Sequence, residues 1–334
     1  MSYCIYSNQN IEENLMNPEH IIPLSLGGCD DFTIMVSSAK NSEVNQKIDA
    51  KMNCDFITAF RNLHHGYKGH SKKEPTIKVK KATIEGDPIS VHITKSKIDA
   101  FDVVNKEHLS GQGNIRMSFV VDPSIRAKFI AKVALSAGYF MFDKIFVENA
   151  DHDSLRTFIF TDNDKMPKLD LRFFDEFQAP GVLDIPKSNM WETNRIISSR
   201  IKSSGVIWGY VHNRIIAHVF ICSRLIGLVN FSADVNAFRM DNDVHDDLGS
   251  VLRVESNKIF TQTPYRCETQ NAMQYVSELQ AAETKLQSTL DAKEKIAILS
   301  KHRHSVLFED LLKAANLSRN KFLELIKAPN IEYK

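Results

Sequence analysis

The sequence predicts an α+β fold, on three observations. Residues 1–60 show the order strand, turn, strand and helix. Residues 76–96 and 206–234 contain short apolar or alternating runs separated by tight polar turns, which is typical of antiparallel strands. The segment 269–301 has no Gly or Pro and is rich in Ala, Gln, Glu, Lys and Leu, which favours a helical C-terminus.

The first segment, residues 1–60, is expected to form a small unit. HIIPL is a candidate short strand, LGGCDD is a turn with two glycines, and TIMVS is a second strand. The run from Ser38 to Leu63 follows as a helix, because its apolar residues recur at helical spacing. These residues are Val44, Ile48, Met52, Phe56 and Phe60.

The second segment, residues 61–165, begins with a basic strip and continues as a mixed region of strands and helices. TIKVKKATI and ISVHITKS alternate with the period of two that strands require, and the turn EGDP separates them. RMSFVVD is a third strand candidate. SIRAKFIAKVALSAGYFMFDKIF has apolar residues on more than one face and predicts a buried helix, and HDSLRTFIFTD predicts a shorter one.

Polar and Pro-containing stretches over residues 163–187 mark a boundary. In the third segment, residues 166–265, VIWGYVH, RIIAHVFICS and LIGLVNFSAD are expected to form an antiparallel meander of three apolar strands. The fourth segment, residues 266–334, is expected to be helical. One long helix is followed by two short ones, in VLFEDLLKAANLS and RNKFLELIKA.

The composition excludes several protein classes. With 334 residues, of which 43% are hydrophobic and 25% charged, the chain can bury a sizeable core. No apolar run approaches the roughly 20 residues that cross a bilayer, and the polar start lacks the apolar region of a signal peptide, so a cytoplasmic protein without a membrane partner is expected. The five cysteines are scattered and form no intact CxxC pair, which indicates reduced thiols.

Positive charge is concentrated in one strip, although the net charge is only +1. Residues 61–81 hold seven Lys or Arg residues against a single acid, which suits the phosphate backbone of a nucleic acid. The alternative is a solvated loop and strand edge whose lysines discourage edge pairing. The candidate nucleic-acid-binding residues are Arg61, Lys68, Lys72, Lys73, Lys78, Lys80 and Lys81.

Two chemically active side chains are adjacent at positions 19 and 20. Glu19 offers a carboxylate oxygen suited to Mg²⁺ or Mn²⁺, and His20 offers an imidazole that can take a proton from water near neutral pH. Neighbours in a strand point to opposite faces, so the two converge on one phosphate only where the strand bulges or ends. The alternative is a surface carboxylate that pairs with a partly exposed imidazole.

A polar helix face accompanies this pair. Asn41, Asn45 and Asp49 recur at every fourth position and therefore line one side of the predicted helix. An amide in the first turns could complete a metal site, and the N-terminus of a helix favours a phosphate. By itself, the face is equally compatible with a solvated polar stripe.

The run EHIIPLSLGG, followed by a strand and a polar helix, resembles the HNH endonuclease family, whose ββα-metal fold binds one divalent cation and cuts nucleic acid. The resemblance implies that His20 is the general base and that Glu19 is a metal ligand, with Asn45, and next Asn41, as the ligand from the helix. It also implies one Mg²⁺ or Mn²⁺ ion as cofactor. The position of the family's central Asn falls near Ile34.

The zinc-binding cysteines found in this variety of the family are degenerate here. The first pair, CxYC, reads CIYS at residues 4–7, and the second, CxxC, reads SAKN at residues 38–41, so three of the four thiolates are replaced. Hydroxyl and amide oxygens do not replace thiolates as zinc ligands, and a structural zinc ion is not expected.

Three hypotheses about function follow. The first, which the resemblance favours, is a metal-dependent endonuclease that hydrolyses phosphodiester bonds in double-stranded DNA, in a restriction or phage-defence setting. Two copies of the chain would then make a double-strand break. The second is a catalytically inactive HNH-derived module that binds nucleic acid, and the third is an assembly protein that uses the helix over residues 268–300 as a dimer contact.

Overall fold

The fold is α+β, as the sequence predicts. The computed structural model describes residues 1–102, 108–109, 114–119, 121–162, 165, 167–176, 189–201, 203–238, 251–255, 257–262, 277, 280–288, 291–302, 311–312 and 315–327. Within these ranges nine α-helices have described bounds and residues 280–288 are also helical, and the paired strands of every sheet are antiparallel.

The chain divides into two compact units. Unit 1 comprises residues 1–186 and 198–265, and unit 2 comprises residues 187–197 and 266–334. The finer division into segments 1–60, 61–165, 166–265 and 266–334 stays a prediction. In the part of the chain that the structure describes, no helix combines the length and the apolar character needed to span a membrane.

Unit 1 begins with two short hairpins and a helical segment. Its elements are β1 Ser2–Cys4, β2 Gln9–Ile11, β3 Met16–His20, β4 Thr33–Ser37, α1 Ser38–Val44, α2 Ala50–Asn53 and α3 Phe56–His65. β1 pairs with β2, and β3 pairs with β4. The strand predicted at TIMVS is confirmed as β4, and the helix that follows it directly is confirmed as α1.

The strand predicted at HIIPL is wrong, because β3 already ends at His20. Ile21 and Ile22 are fully buried in a bend, and Pro23 has no N–H to donate to a strand ladder. The turn then requires glycine, since a Cβ on Gly28 would lie 1.7 Å from the carbonyl oxygen of Ile22.

The helix predicted from Ser38 to Leu63 is interrupted. α1 continues through a π-helical turn, Asn45–Asp49, into α2, and the chain leaves the helix at Cys54. Asp55 then caps α3, because its carboxylate accepts a hydrogen bond from the backbone N–H of Thr58 at 3.1 Å. The predicted helix is therefore two helical stretches separated by a capping residue.

A four-stranded sheet with its own small core follows. Its strands are β5 Ile77–Ile84, β6 Asp87–Ile93, β7 Ile98–Asp102 and β8 Ile115–Met117, in the order β7-β6-β5-β8. Along β5, Ile77 and Val79 point into the core, whereas Lys78 and Lys80 are exposed on the opposite face. The strands predicted at TIKVKKATI and ISVHITKS are confirmed, and β7 is an additional strand that the sequence pattern did not indicate.

The main core of unit 1 lies where a long helix packs against a six-stranded sheet. The elements are α4 Pro123–Phe142, α5 Lys144–Asn149, α6 His152–Phe160, β9 Arg172–Asp175, β10 Ser204–Val211, β11 Arg214–Ile221, β12 Arg224–Ser232, β13 Val251–Glu255 and β14 Lys258–Gln262. The strand order is β14-β13-β10-β11-β12-β9, so the predicted three-strand meander is confirmed as β10, β11 and β12 at its centre. The predicted buried helix is confirmed as α4, which ends before Asp143, a residue with φ of 46°.

The described residues of unit 2 are mainly helical. α7 Asn189–Arg200 lies in this unit up to residue 197, residues 280–288 are helical, and α8 Ala292–His302 and α9 Arg319–Lys327 follow. Leu286, Leu299, Leu312 and Phe322 form a compact apolar core. The short helix predicted at RNKFLELIKA is confirmed as α9. Part of the long predicted helix, and the first half of VLFEDLLKAANLS, lie outside the described residues.

Candidate active site

Glu19 and His20 have separate surroundings. The pairing of β3 with β4 continues without a shift through Glu19 and Ile34, so ordinary strand alternation applies. Glu19 is 2% exposed and its carboxylate contacts a lysine of α4, whereas the His20 imidazole contacts Asp30 in the turn before β4. The structure therefore does not give the two adjacent side chains a common partner.

The lysine that meets Glu19 is Lys132, from the middle of α4. Its Nζ lies 2.6 Å from Glu19 Oε1 and donates a hydrogen bond of 3.1 Å to Asp49 Oδ2. It also donates to the backbone oxygens of His20, at 2.6 Å, and Ile21, at 3.2 Å. The three charged side chains are buried, so an ammonium group inside the protein is surrounded by four oxygen atoms.

This cluster, Glu19–Asp49–Lys132, holds two carboxylates and one ammonium. Burial, together with the nearby Glu19, raises the pKa of Asp49 to about 6, although Lys132 acts in the opposite direction. Burial acts to lower the pKa of Lys132, but the carboxylates of Asp49 and Glu19 outweigh burial and raise it above its ordinary value. Lys132 therefore stays protonated, while Asp49 changes its protonation state near neutral pH.

The two asparagines predicted as metal ligands form a hydrogen-bonded ladder. Asn41 is buried, and its Nδ2 donates to Asn17 Oδ1 at 2.9 Å and to the backbone oxygen of Pro18 at 3.1 Å. Asn45 Nδ2 in turn donates to Asn41 Oδ1 at 2.5 Å. The amides thus fasten α1 to β3. Asn41 and Asp49 are buried whereas Asn45 is exposed, and the π-helical turn Asn45–Asp49 replaces the regular helix on which the predicted common face rests.

The implied Mg²⁺ or Mn²⁺ ion does not fit this arrangement of ligands. Oxygen donors suit these ions in kind. However, the Lys132 ammonium is already bound to Glu19, and the oxygen of Asn41 accepts a hydrogen bond from Asn45. Among the residues described, no group of three or more His, Cys, Asp or Glu side chains is arranged to hold a metal ion.

His20 forms the second part of the site. Its Nε2 lies 3.2 Å from Asp30 Oδ1, so an N–H at this position donates to the carboxylate, and the lone pair is then on Nδ1. The ring centroid lies 5.3 Å from that of His70. The His20 side chain is 19% exposed and can therefore meet water. A hydrogen bond to a carboxylate is one feature of general bases, and here the Asp30 side chain that accepts it is 85% exposed.

A cavity of about 520 Å³ has the two neighbours of His20, Asp30 and His70, in its wall, whereas His20 itself does not line it. The cavity is also lined by Gly27 and Gly28 from the turn after β3, and by Lys68 from the basic strip. Lys72 completes its cationic side. The cavity thus combines the partners of a proton acceptor with positive charge suited to a phosphate.

The candidate residues of the basic strip divide into three groups. Lys68, Lys72 and Lys73 are exposed in the loop after α3, where Lys68 forms an ion pair with Glu74. Lys78 and Lys80 are exposed on β5, while the side chain of Lys81 is outside the description. Arg61 is partly buried, and its Nη2 donates to the backbone oxygen of Ser223 at 3.5 Å, so it is not part of the exposed strip.

The open face of the four-stranded sheet adds aromatic rings to these lysines. His92 of β6 is paired directly with Lys78 of β5, and its ring centroid lies 4.8 Å from that of Phe101 in β7. Phe101 lies 4.3 Å from the ring centroid of His108. These ring pairs are tilted at 51° and 47°, and lysines beside aromatic rings are a combination that can hold the backbone and bases of a nucleic acid.

Two of the four positions that align with zinc ligands, the retained Cys4 and the replaced Ser38, take part in ordinary hydrogen bonds. The buried Cys4 Sγ accepts from the backbone N–H of Ser37 at 3.2 Å, and Ser38 Oγ donates to the backbone oxygen of Leu15 at 2.9 Å. These contacts join the start of the chain to the end of β4, which is the connection that the family's zinc ion makes according to the resemblance.

Sequence reasoning missed Lys132 and Asp30 as members of the site. Lys132 had a usable signal, because it is a lone charge in the apolar run FIAKVALSAG, where a lysine needs a buried partner. Asp30 had none, because an acid in a turn is normally a solvent-exposed residue. A scan against protein-family models, a search of curated proteins and a search of solved structures each find no match to this chain.

Proposed function

We propose that the chain is an endonuclease of the HNH kind, which hydrolyses phosphodiester bonds in double-stranded DNA with His20 as general base. The observation that carries the proposal is the contact of the His20 imidazole with Asp30 beside a cavity that Lys68 and Lys72 line. The order β3, β4, α1 supports it, since it matches the ββα unit that the resemblance implies.

The chemistry follows from the orientation of the imidazole. With the Nε2 proton held by Asp30, Nδ1 accepts a proton from a water molecule, and the resulting hydroxide attacks the phosphorus in line with the 3′ oxygen. The P–O3′ bond breaks, and the 3′ oxygen takes a proton from solvent water as it leaves. Lys72 and His70 offset the charge that develops on the phosphate oxygens. No step is assigned to a metal ion, because the expected ligands do not fit one.

In this proposal the exposed lysines of β5 bind the substrate. Lys78 and Lys80 attract the phosphate backbone, and such contacts contribute affinity that falls with salt and carries little sequence information. A double-strand break requires cleavage of both strands, so two copies of the chain would act together. A restriction or phage-defence setting belongs to the same proposal.

A nicking assay tests the proposed base. Supercoiled plasmid is incubated with the wild type, His20→Ala and His64→Ala, in buffers with Mg²⁺ or Mn²⁺. His64 is an exposed histidine of α3 outside the cavity wall and is the matched control. We expect His20→Ala to lower the nicking rate by about 100-fold or more, and His64→Ala to nick like the wild type. Equal nicking by the wild type and His20→Ala would contradict the proposal.

A second candidate function is supported by the Lys132 contacts. An ammonium bound to the predicted metal ligand Glu19 fits an HNH-derived module that binds nucleic acid without cutting it. Gel retardation with the metal chelated separates the candidates. Salt-dependent retention without any nicking by the wild type supports the binding module, whereas neither retention nor nicking would end both proposals.

A further inference from the structure

We infer that the ammonium of Lys132 occupies the place of a metal ion in the Glu19–Asp49–Lys132 cluster. Without this ammonium, the surrounding oxygen atoms would form a binding site for a divalent metal ion. The inference concerns ion binding inside unit 1 and does not depend on cleavage of nucleic acid.

The oxygen atoms around Lys132 Nζ are those that a hard divalent ion prefers. Two carboxylates, from Glu19 and Asp49, and two backbone carbonyls, from His20 and Ile21, lie between 2.6 and 3.2 Å from the nitrogen. Calcium ions take the same two kinds of ligand at about 2.3 to 2.6 Å, and magnesium or manganese at shorter distances. A small inward shift of these oxygens would therefore convert an ammonium site into a divalent one.

Charge gives the second part of the argument. The cluster has two carboxylates within reach of one ammonium, and all three side chains are 5% exposed or less. A single positive charge leaves one carboxylate uncompensated, and among the described residues the buried Asp49 Oδ1 finds no hydrogen-bond partner. A divalent ion would balance the charge of both carboxylates, so the cluster should bind such an ion once the ammonium is removed.

The cluster lies next to the candidate general base. The two carbonyls belong to the last residue of β3 and the first residue of the following bend, directly beside the candidate base His20. Lys132 comes from α4, more than a hundred residues later in the chain. The resemblance implies a metal ion that binds from solution. Here the protein supplies a positive charge itself, on the side chain of Lys132.

The test is a titration with Mn²⁺, followed by electron paramagnetic resonance of the free ion, on the wild type, Glu19→Gln and Asp49→Asn. We expect Glu19→Gln and Asp49→Asn to bind Mn²⁺ no more weakly than the wild type, because the wild-type cluster holds no metal. A wild type that binds Mn²⁺ and loses it in Glu19→Gln or Asp49→Asn would overturn the inference.

The second part of the test removes the ammonium from the cluster. Lys132→Ala is expected to gain one Mn²⁺ site, at least about tenfold tighter than any site of the wild type, and to lose it again in the double variant Lys132→Ala/Asp49→Asn. Thermal melting with Ca²⁺ and with a chelator should show the same gain as a metal-dependent rise in Tm. A folded Lys132→Ala protein with no gain would overturn the inference. If Lys132→Ala does not fold under any of these conditions, the wild-type arm decides.

Discussion

Arg126 Nη1 lies 2.8 Å from Asp55 Oδ1, and this contact joins α4 to the residue that caps α3, 71 positions earlier in the chain. Arg126 is fully buried and its Nε also donates to Asp175 Oδ2 at 2.7 Å. Six residues further along α4, Lys132 binds Glu19 and Asp49 in the same way. Two buried cations of one helix therefore anchor the first sixty residues to the core of unit 1.

Replacement of Arg126 by Met should destabilise the protein strongly. The carboxylates of Asp55 and Asp175 would remain buried without their cation, and loss of one partner of a buried ion pair costs about 3 to 5 kcal/mol of unfolding free energy. Denaturation with urea at pH 7 measures this loss. Lys47→Met is the control, because Lys47 is an exposed lysine paired with Glu43 and its loss should leave the midpoint almost unchanged. Equal losses of unfolding free energy in the two variants would show that the buried ion pairs stabilise the protein no more than the exposed pair does.

Asp49 should make the protein less stable as the pH rises. Its pKa in the folded protein is raised from 3.8 to about 6, so its contribution to stability is fully present below pH 3.8 and is lost as the pH rises through 6. The shift corresponds to about 3 kcal/mol. The measurement is the unfolding free energy from pH 4 to pH 7 in the wild type and in Glu19→Gln. Glu19 raises the pKa of Asp49, so Glu19→Gln should reduce the loss of unfolding free energy between pH 4 and pH 7.

The matched control for that comparison is Glu43→Gln. Glu43 is a less buried glutamate of α1, paired with Lys40 and Lys47. Burial acts to raise the pKa of Glu43, but the hydrogen bonds from Lys47 and Lys40 lower it below 4.5. Above about pH 5.5 Glu43 is therefore ionised in both the folded and the unfolded protein, and Glu43→Gln should leave the slope there as in the wild type. A Glu19→Gln protein with the full wild-type slope would refute the assigned coupling between Glu19 and Asp49.

His218 should make the protein sensitive to acid. Burial in β11 lowers its pKa from 6.5 to about 4, with a backbone contact to Ile207 acting in the opposite direction. Stability from this residue is present above pH 6.5 and is lost as the pH falls through 4, by about 3 kcal/mol in total. His218→Leu, which keeps the site apolar, should therefore unfold at lower pH than the wild type. The same replacement at the exposed His64 should not move the acid transition.

Gly28 should tolerate no side chain. A Cβ there would meet the carbonyl oxygen of Ile22 at 1.7 Å, so Gly28→Ala forces the turn after β3 to move and should cost about 2 kcal/mol or more. Thermal or urea denaturation measures the loss. Gly69→Ala is the control, because its added Cβ would come no closer than 3.6 Å to Ser25 and should change stability by less than about 0.5 kcal/mol.

Lys78 and Lys80 should determine part of the salt dependence of nucleic-acid binding. Each phosphate contact contributes about 0.9 to the slope of log affinity against log salt, so Lys78→Ala/Lys80→Ala should reduce the slope by about 2. Fluorescence anisotropy with a labelled DNA duplex measures it. Lys293→Ala/Lys321→Ala, which removes two exposed lysines of unit 2, is the matched control. An unchanged slope in the β5 variant would remove this face from the proposed interface.

Local sequence patterns predicted many elements of unit 1 correctly. Alternation of apolar residues identified β5 and β6, and three short apolar runs identified β10, β11 and β12. These patterns succeed because backbone hydrogen bonding and one-sided burial act over neighbouring residues. They failed at HIIPL, since Ile21 and Ile22 are buried in a bend and not in a strand. An apolar pair looks the same in either setting.

The sequence by itself determined the α+β class and the adjacency of Glu19 and His20. Only the tertiary structure decided which partners these residues have. Glu19 binds Lys132, and His20 binds Asp30, because α4 packs against the β3–β4 hairpin and the turn before β4 folds back over the end of β3. The physical reason is that helix and strand preferences act along the chain, whereas the pairing of buried charges depends on which distant elements bury them together.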